Sequence, residues 1–259
     1  MTVPVDSVED DPREQTAIVL EEGLDRPWIT VALCISILCV HLAVGAVIWS
    51  RGNTEWWGLL LEDRGDRLRL LARCGAMSPE DLDRGELWRL ISAAFLHANT
   101  LHLVLNLVAL LALGRLCEAI HGHTRLLWLF LLSSAVGACF SWMGGNELSV
   151  GASSGIFGLM GAAIIFGWRF RDHLPEDIGT FFRKRLLPWL ILNLIIGLVV
   201  PMVDNLGHVG GLVAGVLFGA TLGNRSVPGY AGSRGSRLLA LTGSMLLCGA
   251  ALAGVASQW

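Results

Sequence analysis

Long apolar runs separated by short polar ones dominate the chain, at residues 28–49, 101–120, 126–143, 153–170, 186–203, 205–222 and 238–257. All reach or approach the roughly 20 residues that a helix needs to cross the hydrocarbon core of a bilayer. A membrane barrel would show shorter segments alternating with period two, and lipid offers no partner to an open backbone group, so each run is predicted to be an α-helix. Residues 51–91 have a different texture: Trp56, Trp57, Leu59, Leu60, Leu61, Leu68, Leu70 and Leu71 interleave with charges, the pattern of a segment lying in the membrane interface. Within it, Ser78, Pro79 and Asp81 supply a cap, a first-position proline and an acid at the third position, which predicts a short helix. The expected fold class is an all-α membrane protein, a polytopic helical bundle.

Composition agrees with the pattern. Of 259 residues, 53% are hydrophobic and 16% charged, well below the quarter that is usual in soluble domains, and the mean hydropathy is +0.59. With a net charge of −3 and no arginine- or lysine-rich block, nucleic-acid binding is excluded as a function class. The six cysteines form no C-x-x-C pair, and Cys34, Cys39, Cys117, Cys139 and Cys248 lie in apolar runs, so they read as small packing residues. Residues 1–26 carry eight acids and two arginines without the basic start and short apolar core of a cleaved signal, and are expected to form a solvated, disordered tail.

Orientation follows from the basic residues of the short loops, which favour the cytoplasm. A cytoplasmic N-terminus gathers Arg115, Arg125, Arg169, Arg171, Arg183, Lys184, Arg185, Arg225, Arg234 and Arg237 on the inner side and none in the outer loops at 144–150 and near Asp204. Residues 51–91 hold seven arginines against eight acids, and their length weakens their vote.

Ionisable groups inside membrane segments are costly, which makes them functional candidates. His97, His102 and Asn106 open the second run, the latter two one helical turn apart on one face. Gly151-Ala152-Ser153 opens the fourth, where free first-turn N–H groups would point toward whatever lies beside the Ser153 hydroxyl. His208 opens the sixth run beside Gly207, Gly211, Gly215 and Gly219, a small-residue face that permits close helix approach. The fourth run offers its own stripe in Ser154, Gly158 and Ala162, and if the two stripes meet, Ser153 and His208 become neighbours. An imidazole beside a serine can take the hydroxyl proton as the oxygen attacks a carbonyl. A metal site from His97, His102 and His208 is the competing reading, but no H-E-x-x-H or H-x-x-E-H helix supplies a ligand pair and a general base. His41 reads as a structural hydrogen-bonder, and His121 and His123 as members of a cytoplasmic turn.

These motifs together resemble the rhomboid family of intramembrane serine proteases over about residues 28–222. Glu86-Leu87-Trp88-Arg89 is similar to its first-loop tryptophan-arginine element, and His97 through His102 to Asn106 to its H-x-x-x-x-H-x-x-x-N signature. Gly151 to Ser153 matches the G-x-S nucleophile motif, and Gly207-His208 with Gly210-Gly211 the histidine-glycine motif of the sixth helix. The resemblance implies Ser153 as nucleophile and His208 as general base, a dyad without an acidic third member. It implies His102 and Asn106 as oxyanion donors beside the Ser153 N–H, with His97, Trp88, Arg89 and Gly151 in support. Two departures stand out. Ser154 replaces the usual glycine after the nucleophile; aligning on Ile156-Phe157-Gly158-Leu159 keeps Ser153, whereas choosing Ser154 requires a one-residue shift. Phe157 stands where some members have a tyrosine packed on the histidine, and its ring, one turn from Ser153, can still lean on the imidazole.

The implied organisation is a cytoplasmic tail (1–26), a six-helix catalytic core (27–223) and a linker with a seventh transmembrane helix (224–259) whose role is packing. The implied partners are transmembrane protein substrates and the lipid bilayer, with no metal or cofactor. The cavity would be wet and open to the outer face, with walls at the second and fifth runs parting for a substrate helix and Pro188 and Pro201 marking where the fifth bends. The alternative is a catalytically inactive rhomboid-like scaffold or chaperone, which need not keep Ser153, His208 and the oxyanion donors together.

Overall fold

The computed structural model describes residues 11–50, 65–146, 148–200 and 203–258, and among these the chain is a helical bundle whose strand-like pairing is limited to one bridge between Met77 and Ser149. The helices are α1 (Pro12–Leu24), α2 (Trp28–Ser50), α3 (Gly65–Cys74), α4 (Pro79–Asp83), α5 (Arg89–Ser92), α6 (Thr100–His121), α7 (His123–Met143), α8 (Ser153–Arg169), α9 (Glu176–Phe181), α10 (Leu187–Val199), α11 (Asn205–Thr221) and α12 (Arg234–Ala256). Each apolar run becomes a helix, as expected of a polytopic membrane bundle. Pro12–Ser50, α6, α7 and α12 are long and apolar enough to cross a membrane by themselves. α8 and α11 have 17 residues each and α10 has 13; at 1.5 Å per residue the first two span about 26 Å.

The solvated tail does not extend through residue 24. Asp11 caps α1 by accepting the Arg13 N–H at 2.8 Å, and Thr16, Leu20 and Gly23 form a buried stripe along its inner face. Gly23 sits so near Ala119 of α6 that an added Cβ would lie 2.7 Å from its backbone. The acids that made the tail look solvated, Glu14, Glu21 and Glu22, occupy the open face of the same helix.

α2 begins just after Pro27 and has a cap borrowed from α6: the buried Glu118 carboxylate accepts the Ile29 and Thr30 N–H groups at 2.8 Å and the Thr30 hydroxyl at 2.6 Å. First-turn donors without an intrahelical partner are satisfied this way at long sequence separation. Between α2 and α6, the short helix at Ser78 forms as its cap predicts, with the Ser78 hydroxyl accepting the Asp81 N–H. Trp56, Trp57, Leu59, Leu60 and Leu61 lie outside the described residues, while Leu70 and Leu71 are buried.

Two small-residue stripes do meet. An added Cβ at Gly211 would collide with the Ser154 carbonyl, one at Gly215 with the Gly158 carbonyl, and one at Gly219 would reach 2.7 Å from the Ala162 backbone. Gly207 departs from the stripe: its carbonyl faces Gly137 of α7, where a Cβ would come within 2.7 Å. Among lipid chains, helices associate through such close packing rather than through expulsion of water.

α10 follows a π-helical turn at Phe182–Leu186. Pro188 has no N–H to donate to the carbonyl four residues back, and the wider turn before it absorbs the missing bond. α10 stops at Val199, and Val200 has the extended backbone (φ −88°, ψ 113°) favoured before a proline; Pro201 lies outside the described residues. The C-terminal α12 packs on α7 and α5, with Gly243 against Trp128 and Gly254 against Trp88.

Candidate active site

Gly151 starts the local geometry. Its φ of +127° is a conformation that side chains rarely adopt, and a Cβ there would lie 2.8 Å from the His102 ring. Its N–H donates to the Ala93 carbonyl at 3.0 Å, which ties the approach to α8 to the end of the first loop. The chain then turns through Ala152, whose N–H points at the His97 ring nitrogen at 3.5 Å, and enters α8 at Ser153. On the facing helix, Asp204 caps α11 through the Gly207 N–H at 2.8 Å and places His208 in the first turn.

The stripe contact sets both helix starts at one depth, so Ser153 Oγ lies 2.8 Å from His208 Nε2. The Phe157 ring stacks on the imidazole at 4.3 Å and 10°, and His208 is 8% exposed. Ser154 points elsewhere, into the packing beside Gly137. His97 and His102 meet edge to face at 5.0 Å. Asn106 is buried, with its side-chain amide donating to the His102 carbonyl at 2.9 Å. His41 touches the Thr100 hydroxyl at 3.3 Å, and His123 pairs with Glu118 at the opposite end of α6.

Ser153, His208, His102, His97, Gly151 and Phe157 are therefore one cluster. Trp88 and Arg89 serve the loop instead: the buried guanidinium donates to the Ala76 carbonyl at 2.8 Å and to Glu86 at 2.7 Å, and lies 4.5 Å from the Trp88 ring centre. Chemically, the cluster offers a hydroxyl whose proton an adjacent imidazole can accept, beside N–H groups at a helix start.

A family model described as the Rhomboid domain matches residues 84–225, more than half of the chain. The chain belongs to the rhomboid family. RHOMBOID-like protein 5 of Arabidopsis thaliana is 34% identical over 172 residues, covering 64% of this chain and 54% of that protein. Rhomboid protease GluP of Bacillus subtilis is 35% identical over 169 residues, covering 65% of this chain and 32% of GluP. Rhomboid-like protease 3 of Toxoplasma gondii is 36% identical over 154 residues, with 57% and 56% covered. The chain thus spans about half or less of the length of its first two relatives.

This rhomboid protein also has polar groups at the site to which sequence reasoning gave no role. Asn146 and Ser149, from the turn ahead of Gly151, both bond the Asp204 carboxylate, at 2.7 and 2.9 Å. An aspartate three residues ahead of Gly207 is a cap signature legible in sequence; its two long-range partners carry no such signal.

Proposed function

We propose that this rhomboid protein is an intramembrane serine endopeptidase that cuts transmembrane segments of membrane-protein substrates with a Ser153–His208 dyad. The observation that carries the reading is the 2.8 Å approach of Ser153 Oγ to His208 Nε2 under a stacked Phe157 ring. His208, protonated on Nδ1, accepts the Ser153 proton at Nε2 as the oxygen attacks the scissile carbonyl, and returns it to the leaving amine. The Ser153 N–H, free at a helix start, stabilises the oxyanion with His102 and Asn106. Asn106 has a second amide hydrogen besides the one given to His102, so it can donate without breaking that bond.

α6, α8 and α11 all begin at the site end of the bundle, and Arg125, Arg169, Arg225, Arg234 and Arg237 lie toward the other. The excess of basic residues favours a cytoplasmic position for that other end, which opens the site to the outer face and supports a cytoplasmic N-terminus.

A fluorophosphonate serine probe followed by peptide mapping tests the dyad. Wild type should label on Ser153; Ser153→Ala and His208→Ala should lose both labelling and cleavage of a model transmembrane substrate, while Ser154→Ala should retain substantial activity. Label on Ser154, or cleavage by Ser153→Ala, overturns the assignment. A wild-type protein that neither labels nor cleaves is instead an inactive scaffold.

A further inference from the structure

The Asp204 carboxylate does more than a helix cap requires. Capping α11 takes one acceptor, and the Gly207 N–H occupies Oδ1 at 2.8 Å. The same oxygen also accepts the Asn146 side-chain amide at 2.7 Å, and Oδ2 accepts the Ser149 hydroxyl at 2.9 Å. Both extra donors come from the turn between α7 and α8, and Ser149 lies one residue pair ahead of Gly151 and four residues ahead of Ser153. Asn146 is in turn held to the end of α7 by the Ser141 hydroxyl at 3.1 Å, and Ser149 exchanges two backbone bonds with Met77, at 3.1 and 2.8 Å. On the other side, the Asp204 carbonyl accepts the His208 N–H at 3.0 Å. One residue therefore bonds directly to the chain leading into Ser153 and to the helix turn that carries His208.

We propose that Asp204 is a positioning residue, a clasp that fixes the segment leading into Ser153 against the start of α11 and so, together with the glycine seam, sets the Ser153–His208 distance. The inference rests on the protease reading for its catalytic consequence. Asp204 acts through backbone and turn and makes no bond to the imidazole: among the described residues, His208 Nδ1 has no hydrogen-bond partner. Three donors from two segments far apart in sequence converge on the two oxygens of one side chain, a geometry that suits a joint.

Three variants separate the clasp from the cap and from the charge. Asp204→Ala removes all three bonds. Asp204→Asn is isosteric: its amide oxygen keeps the Gly207 and Asn146 bonds, and its nitrogen can donate to the Ser149 hydroxyl, so the geometry survives without the charge. The double variant Asn146→Ala/Ser149→Ala leaves the α11 cap intact and releases only the turn. Displacing a catalytic group by about 1 Å costs on the order of 10²-fold. Asp204→Ala should therefore lose about that much in kcat and in probe-labelling rate with KM little changed, the double variant should lose most of the same rate, and Asp204→Asn should stay within a few fold of wild type. An asparagine variant as slow as the alanine one, a double variant at the wild-type rate, or an effect confined to KM overturns the clasp. If wild type neither labels nor cleaves, the protease reading fails instead. The clasp is then read from thermal unfolding of Asp204→Ala, Ser149→Ala and their combination: non-additive changes support it, and additive ones overturn it.

Discussion

α11 and α10 are neighbours in sequence, yet they are held in opposite ways. α11 meets α8 backbone to backbone, with Gly211 and Gly215 leaving no room for a methyl group and Ala214 1% exposed. α10 buries only Leu190 and Gly197 among its described residues, while Leu198 and Val199 are 79% and 75% exposed. The first contact fixes a distance, because backbones have no rotamers to adjust; the second holds a helix near the bundle without fixing it. The proposed reacting pair is built on the first kind of contact: Ser153 and His208 open the two helices that the seam holds together.

Breaking the seam should have the largest effect. In Gly215→Val the new side chain runs into the Gly158 carbonyl, and neither backbone can yield locally. Overpacking a core typically costs 1–3 kcal/mol and more where backbone must shift, so a loss above about 3 kcal/mol is expected here. Thermal unfolding in detergent and probe labelling should fall together. A variant with native melting and full labelling would show that the helices part easily and that the seam does not set the site.

A residue of the candidate site that lies outside the seam, on α6, sharpens the contrast by leaving the scaffold whole. Removing one oxyanion donor costs about 10²–10³ in rate, or roughly 3–4 kcal/mol, so Asn106→Ala should lower turnover by that range while Ser153 still reacts slowly with the probe and the melting temperature changes little. Unchanged turnover would return Asn106 to its bond with the His102 carbonyl, and loss of labelling equal to that of His208→Ala would end the division of roles.

What sequence made legible divides along the same line. Apolar runs, the Ser78 cap and the facing stripes of Gly211, Gly215 and Ser154, Gly158 are local patterns with one physical reading, and they sufficed to expect Ser153 beside His208. α1 was hidden because Glu14, Glu21 and Glu22 mask a buried stripe of only three residues, Thr16, Leu20 and Gly23, and composition averages over the faces of a helix. Pairings such as Glu118 with Thr30, or Asp204 with Asn146 and Ser149, join residues too far apart for any spacing rule. The early end of α10 was only half legible, since Pro201 announces a boundary without saying how many residues before it will leave the helix.

The mildest test repeats the seam substitution on the loose helix. Gly197 of α10 also lacks room for a Cβ, but what stands in the way is the side-chain oxygen of Asn205, with Val203 Cγ1 at 3.0 Å beyond it. Both obstacles are ends of side chains, which can turn aside. The bond that Asn205 would give up is long, its amide reaching the Leu194 carbonyl at 3.4 Å, and its loss costs about 1 kcal/mol at most. Replacing a helical glycine also recovers a few tenths of a kcal/mol of backbone propensity. Gly197→Val should therefore destabilise by less than about 1 kcal/mol, with labelling at the wild-type rate, and Leu198→Ala on the open face should stay within about 0.5 kcal/mol. The decisive quantity is the difference in melting temperature between Gly215→Val and Gly197→Val measured side by side. If the same glycine-to-valine change costs as much on α10 as on α11, the two helices are held alike, and the rigidity of the Ser153–His208 pair must be sought in the Asp204 clasp rather than in the seam.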